Sequence, residues 1–209
     1  MRNGLATIHG YSRLIDPIAL PPQYRPYVDG IRQETEVLGK VVTNFLNFAR
    51  PEHVTFALVD LRAIAQRAAD ELHHELPSGT TVDVQGDFEP VDGDEVMLRQ
   101  AFGNLLRNAA EACDLSGVVP RIAIVGRIDR AHASCWVAVE DNGPGIPAEE
   151  RERVLDRFYR PAQAPTGGSG LGLAIVREIA QAHDATLALE PREGGGLRVV
   201  LRFPFKAST

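Results

Sequence analysis

Three short stretches in the second half of the sequence hold residue types that could do chemistry together. In NLLRNAAEA, Asn104 and Asn108 lie four residues apart, so on a helix their amides stack on one face. Amide oxygens are neutral, hard donors of the kind Mg2+ accepts while it keeps waters and phosphates in its shell. Helix caps and buried hydrogen-bond clips use the same pair, so alone it is a weak signal. In VEDNGPGIP a strand runs straight into Asp141, with Gly143 and Gly145 at alternate positions after it. Such glycines let backbone turn sharply and approach a flat ligand, and a carboxylate at a strand end can accept a hydrogen bond from an exocyclic amine. A plain turn uses the same residues. In GGSGLGLAIVREI, Gly168, Gly170 and Gly172 open a helix, and bare N–H groups at a helix N-terminus suit a phosphate. The P-loop spacing is absent, and no strand precedes these glycines as a Rossmann fingerprint requires.

These stretches need elements to carry them. GDEVMLRQAFGNLLRNAAEAC has helical periodicity through Val96, Leu98, Ala101, Leu105 and Leu106. RIAIVGRI and SCWVAVED alternate as paired strands, SGLGLAIVREIAQAH reads as a helix, and ATLALE with LRVVLRF reads as a closing hairpin around Gly194, Gly195 and Gly196. VTFALVDL and TVDVQGD are expected strands, with the helix DLRAIAQRAADEL between them. Ahead of this region, Ile31, Leu38, Val41, Val42, Phe45 and Phe48 mark a helix from about Pro22 to Arg50, ended by Pro51. The three prolines of DPIALPP turn the chain back from an earlier helix, giving an antiparallel helical hairpin. Two helices cannot close a core. The apolar stripe buries against a second copy, as half of a dimeric four-helix bundle, or folds back on the rest of the chain. The expected fold class is α+β: the helical hairpin, then an α/β sandwich with a mixed sheet and helices on one face.

Composition narrows the partners. A formal net charge of −6 and a pI near 5.5, with no run of Lys or Arg, argue against nucleic acid or an anionic membrane surface. No apolar stretch approaches the roughly 18 residues of a membrane span, so the chain reads as soluble and without direct membrane contact. Cys113 and Cys135 lack C-x-x-C spacing and sit in apolar segments, as free core thiols of a reducing compartment do. The histidines form no metal-binding pattern; His53, His73, His74, His132 and His183 read as surface or partly buried polar residues.

In their order, the Asn-bearing helix, D-x-G-x-G, and the glycines at a helix start resemble the N, G1 and G2 boxes of the ATP-binding domain shared by bacterial histidine kinases, Hsp90, gyrase and MutL. VLDRFYRP resembles the F box of the histidine kinases, EGGGLRVVLRFP their final hairpin, and NFARP the exit from their dimerisation and phosphotransfer helices. MRNGL is similar to the second half of that family's H box, with Gly4 where proline is usual.

The resemblance implies three segments: residues 1–50 as the dimerisation and phosphotransfer hairpin, 51–57 as a linker, and 58–209 as the ATP-binding catalytic domain. It implies ATP and Mg2+ as cofactors, with Asn108 ligating the metal, Asn104 positioning a water or polar contact, and Asp141 holding adenine. Gly143 and Gly145 would admit the ring, and Gly168, Gly170, Leu171 and Gly172 would cradle phosphates. Arg160 is the loop cation expected to reach the terminal phosphate, with a solvated surface arginine as the alternative. Phe158 and Tyr159 would seat a lid over residues 156–169. Asn3 stands where the family keeps a group that orients water for dephosphorylation. By the resemblance the phosphoacceptor histidine falls two residues before Met1, so the isolated chain is expected not to autophosphorylate. His9, roughly 80° around the helix from that direction, is expected to be a partly buried polar residue, with acceptor as the remote second reading. The implied activity is transfer of the ATP γ-phosphoryl to a histidine and on to an aspartate in a response-regulator receiver domain. The alternative is a dimeric ATP-binding module without phosphotransfer. A cytoplasmic location is expected, with any membrane anchor lying upstream.

Overall fold

The computed structural model describes residues 2–35, 39, 55–160 and 170–204, with residues 2–6 and 9 described by backbone alone. Helix α1 spans Arg2–Leu14. Two short 3-10 turns at Pro17–Ala19 and Pro22–Tyr24 follow, the first capped by Asp16 Oδ1, which accepts from Ile18 N at 2.9 Å. Residues 25–35 then form α2. Arg32 of α2 donates to Ser12 O at 3.0 and 2.9 Å and to Ile15 O at 2.8 Å, filling carbonyls that the end of α1 leaves open. Ser12, Val28 and Thr35 are buried, whereas Ile8, Tyr11, Leu14, Ile18, Tyr24, Tyr27 and Ile31 are exposed. Leu38, Val41, Val42, Phe45, Phe48, the NFARP exit and the side chains of Asn3 and His9 lie outside the described residues.

From residue 57 the order is β1 (Ala57–Val59), α3 (Leu61–Leu72), β2 (Thr81–Gly86), β3 (Val91–Gly93), α4 (Glu95–Leu115), β4 (Arg121–Asp129), β5 (Ser134–Glu140), α5 (Gly172–Ala182), β6 (Thr186–Pro191) and β7 (Leu197–Pro204). Five strands form one sheet in the order β2-β4-β5-β7-β6. β2 pairs parallel to β4 and every other pair is antiparallel, so the sheet is mixed, as expected. The strand expected over VTFALVDL shrinks to three residues. It pairs not with the main sheet but with β3, which has no visible period because it too is only three residues long. Asp60 cuts it short by capping α3, its carboxylate accepting from Arg62 N and Ala63 N. Asp94 caps α4 through Met97 N. Each cap contributes about 1 kcal/mol.

The apolar faces of α3, α4 and α5 pack on one side of the sheet in a single cluster that includes Leu61, Leu98, Phe102, Leu106, Val176, Ile124, Val137, Leu201 and Phe203. Cys113 and Cys135 are free and buried, and burial pushes both thiols up from their usual range. On the opposite face, the Trp136 ring lies between Arg127 and Arg198, whose guanidinium carbons are 5.0 and 4.8 Å from its centre. His183 is a correction. It is buried rather than at the surface, because both ring nitrogens are satisfied: Nε2 accepts from Asp94 N at 2.9 Å, and Nδ1 donates to Ile179 O at 2.7 Å.

Candidate functional site

The end of β5 and one face of α4 make the site. Asn108 sits on that face with Leu105, Ala109 and Ala112, positions at helical spacing. Together with Val139, Asp141, Gly145, Ile146, Leu173, Leu197 and Val199 they line a cleft of about 460 Å³, part of it open to solvent. Apolar walls with two polar groups, Asn108 and Asp141, suit a flat heterocycle.

Asp141, the residue after β5, is 4% exposed. Its Oδ1 accepts from Gly143 N at 2.8 Å and from Leu197 N at 3.2 Å. Among the described residues no donor falls on Oδ2, which leaves that oxygen for a ligand. Burial raises the carboxyl above its usual range, opposed by the N–H groups of Gly143 and Leu197 and by the charge of Arg192. Asn142 fastens the same loop to the α4–β4 connection: Oδ1 accepts from Arg121 N at 2.7 Å and from Cys113 Sγ at 3.3 Å, while Nδ2 donates to Val119 O at 3.1 Å. Gly145 has φ +74°, and a Cβ there would stand 2.9 Å from Gly196 O. Sequence reasoning missed Gly196, although the triple glycine was its signal. Its φ is +105°, and a Cβ on it would fall 1.9 Å from Asp141 O.

Gly172 begins α5 against Asn108. A Cβ on Gly172 would lie 2.8 Å from Asn108 Oδ1, so the Asn-bearing helix and the glycine-bearing helix meet at these two residues. The helix was expected from Ser169 but starts at Gly172, because Gly170 holds φ +65°, outside the helical region. Leu171, buried in the core, is the N-cap residue and offers no side-chain cap, unlike Asp60 on α3 and Asp94 on α4. Gly170 faces another segment: its carbonyl accepts from Phe158 N at 2.9 Å, and a Cβ on it would meet Phe158 C at 2.8 Å. Gly168 lies outside the described residues.

Phe158 does not seat this segment. It is 64% exposed, because φ +65° and the bond to Gly170 turn its side chain outward. The anchoring comes instead from ion pairs to α5, Arg157 with Glu178 and Asp156 with Arg177 at 3.6 Å, and from Tyr159, half-buried with Arg153 4.5 Å from its ring centre. Of the lid expected over 156–169, residues 161–169 lie outside the described residues. Arg160, half-buried at the edge of this segment, does not line the cleft. Asn104 lies one turn before Asn108, with Nδ2 buried and lacking a partner among the described residues.

Mg2+ fits this donor set. The described residues hold no group of three or more His, Cys, Asp or Glu that could cage a metal. A neutral amide oxygen beside an uncapped helix start leaves room for an ion that keeps its own waters and takes phosphate oxygens.

The profile of the family described as histidine kinase-, DNA gyrase B-, and HSP90-like ATPase matches residues 93–207. Among curated proteins, the signal transduction histidine-protein kinase AtoS of Escherichia coli (strain K12) is 27% identical over 211 residues, covering 98% of this chain and 33% of AtoS. The chain thus spans about a third of that relative's length. Among solved structures, the mycobacterial sensor histidine kinase MprB aligns with a TM-score of 0.62 at 28% identity, covering 72% of this chain and 97% of that one. Full-length ShkA in complex with AMPPNP shares the fold over 100% of this chain and 44% of its own, with a TM-score of 0.71 at 24% identity.

Proposed function

Because the chain belongs to the histidine kinase-, DNA gyrase B-, and HSP90-like ATPase family, as a two-component histidine kinase with its ATP-binding catalytic domain, we propose that it binds Mg·ATP in the cleft below Asp141 and donates the γ-phosphoryl to a histidine. The observation that carries this reading is the meeting of Asn108, Asp141 and the uncapped start of α5 around one cleft. Asp141 accepts the exocyclic amine of adenine. Gly143 and Gly145 keep the ring's approach open, and the N–H groups after Leu171, with Gly168, Gly170 and Gly172, hold phosphates. Asn108 ligates Mg2+, which supplies charge neutralisation on the phosphate oxygens when bound, and Asn104 orients a water. Arg160 reaches the terminal phosphate from the loop.

The acceptor histidine is none of the six in this sequence, so the 209 residues supply the catalytic half of the reaction. The phosphoryl passes on to an aspartate of a response-regulator receiver domain, and Asn3 orients the water that hydrolyses that aspartyl phosphate, releasing inorganic phosphate. Residues 1–50 form the dimerisation hairpin, 51–57 the linker and 58–209 the catalytic domain. Exposed Tyr11, Leu14, Tyr27 and Ile31 support a homodimer through the hairpin, since a single copy leaves them in water. Among the described residues no helix is long and apolar enough to cross a membrane. The proposed location of this region is the cytoplasm.

Calorimetry tests the nucleotide reading. The unmutated chain should bind ATP in a Mg2+-dependent way, and Asp141→Ala should abolish it. Equal binding by both forms refutes the assignment. Phosphotransfer is tested by adding a hairpin fragment with His-Glu ahead of RNGL: acid-labile label should appear on the fragment, not on the 209-residue chain, and should vanish with Asn108→Ala.

A further inference from the structure

We propose that Arg192 is a positioning residue for base recognition, its hydrogen bonds clamping the β6–β7 turn onto the Asp141 backbone while its charge holds the Asp141 carboxylate in the ionised form that accepts the base. This rests on the nucleotide reading above. Arg192 closes the turn through its own backbone, donating from N to Gly196 O at 3.2 Å and accepting from Gly195 N at 3.1 Å. Its side chain then reaches across the turn, where Nη1 lies 3.4 Å from Asp141 O and 3.4 Å from Gly195 O. Nε stands 3.6 Å from Glu140 Oε2, one residue before Asp141. Beneath the guanidinium, Gly196 presses on the Asp141 carbonyl so closely that no side chain fits.

The same turn delivers the bonds that orient the carboxylate. Asp141 N donates to Leu197 O at 3.0 Å, and Leu197 N returns to Asp141 Oδ1 at 3.2 Å. Leu197 follows Gly196 directly, so a turn that lifts away takes one of the two Oδ1 donors with it. The carboxylate then keeps only the bond from Gly143 N and is held less firmly. Charge acts in the same direction. Arg192 favours the ionised carboxylate that accepts the amine, while burial opposes it. The other titratable or charged groups around Asp141 are Glu140 on β5, Arg198 on β7, which pairs with Glu140 at 3.3 Å, and Cys113 on α4.

A merely structural clamp and a charged positioning residue separate by pH. ATP affinity of the full chain should be measured from pH 8.5 downward through the acid limb of binding with Mg2+ present, for the unmutated protein, Arg192→Met, Arg192→Lys and Glu140→Gln, alongside thermal unfolding. Arg192→Met should move the acid limb of affinity to higher pH. A one-unit move costs up to about tenfold in affinity below the limb and far less above it. Arg192→Lys should return the limb most of the way, and Glu140→Gln should move it to lower pH. A loss for Arg192→Met that is the same at every pH, or no loss, overturns the inference. If Arg192→Met does not fold, Arg192→Gln is measured in its place and judged by the same two outcomes. If the unmutated chain binds no ATP, the nucleotide reading itself falls and this inference with it. If it binds, and Asp141→Ala abolishes binding while Arg192 is silent, only this inference falls.

Discussion

Gly172→Ala should separate stability from function. No positive φ is required at Gly172, so alanine fits the backbone, and replacing glycine in a helix stabilises by up to about 1 kcal/mol, less in a first turn such as this. The added methyl would, however, stand 2.8 Å from Oδ1, 3.0 Å from Nδ2 and 3.3 Å from Cγ of Asn108. The whole amide must then swing aside, and a short side chain has few places to go. Displacing the proposed metal ligand should weaken Mg·ATP by about 10- to 100-fold, or roughly 1.4–2.8 kcal/mol, as disturbed metal sites typically do. Calorimetry with and without Mg2+ measures the loss, and thermal unfolding of the nucleotide-free chain, expected to stay near parental because the helix gain and the displaced amide offset, shows that the fold is intact. The double variant Gly172→Ala/Asn108→Ala should bind no worse than Asn108→Ala alone, because both changes remove one group. Parental Mg·ATP affinity in Gly172→Ala refutes the reasoning. So does an additive double variant.

Three further outcomes follow from the same geometry. The raised carboxyl of Asp141 makes ATP affinity climb with pH through that raised range, since the bound amine needs the ionised form. Its contribution to the stability of the nucleotide-free chain runs the other way, present below the ordinary carboxylate range near 3.8 and lost as pH rises through the raised value; calorimetry and denaturant titration across pH check the two signs. Gly196→Ala should abolish ATP binding and lower stability by about 2 kcal/mol or more, because φ +105° and a 1.9 Å approach to Asp141 O leave no room; unchanged unfolding would contradict this. Ile31→Asp should shift the chain from dimer to monomer in sedimentation, since burying an unpaired charge in a helix bundle costs several kcal/mol, and an unmutated chain already monomeric at tens of micromolar would remove the dimer.

Much of the sheet and its helices could be read in advance because alternation in β4, β5 and β7 and the apolar stripes of α4 and α5 each repeat long enough to show a period. β1 and β3, at three residues each, could not, and only the Asp60 and Asp94 caps mark where they stop. At the site, Asn108 and Asp141 stand out as polar residues in apolar company, and both reach the same cleft. Arg192 and Gly196 did not stand out, because their importance comes from β7 returning beside β5, a pairing of residues more than fifty positions apart. Phe158 misled for a related reason. Its apolar side chain suggests burial, but a left-handed backbone bonded to Gly170 decides its direction.

Trp136 is the only tryptophan of the chain, and it sits behind the sheet rather than in the cleft. Its emission is therefore a one-residue optical signal from outside the cleft lining. The two cations against its ring make it sensitive to their distance, and one of them, Arg198, shares Glu140 with Arg192. A colour change in tryptophan light on adding ATP would thus record the cleft's occupancy from the far side of a single strand, carried by β5 and the chain of ion pairs that ends at the Asp141 turn.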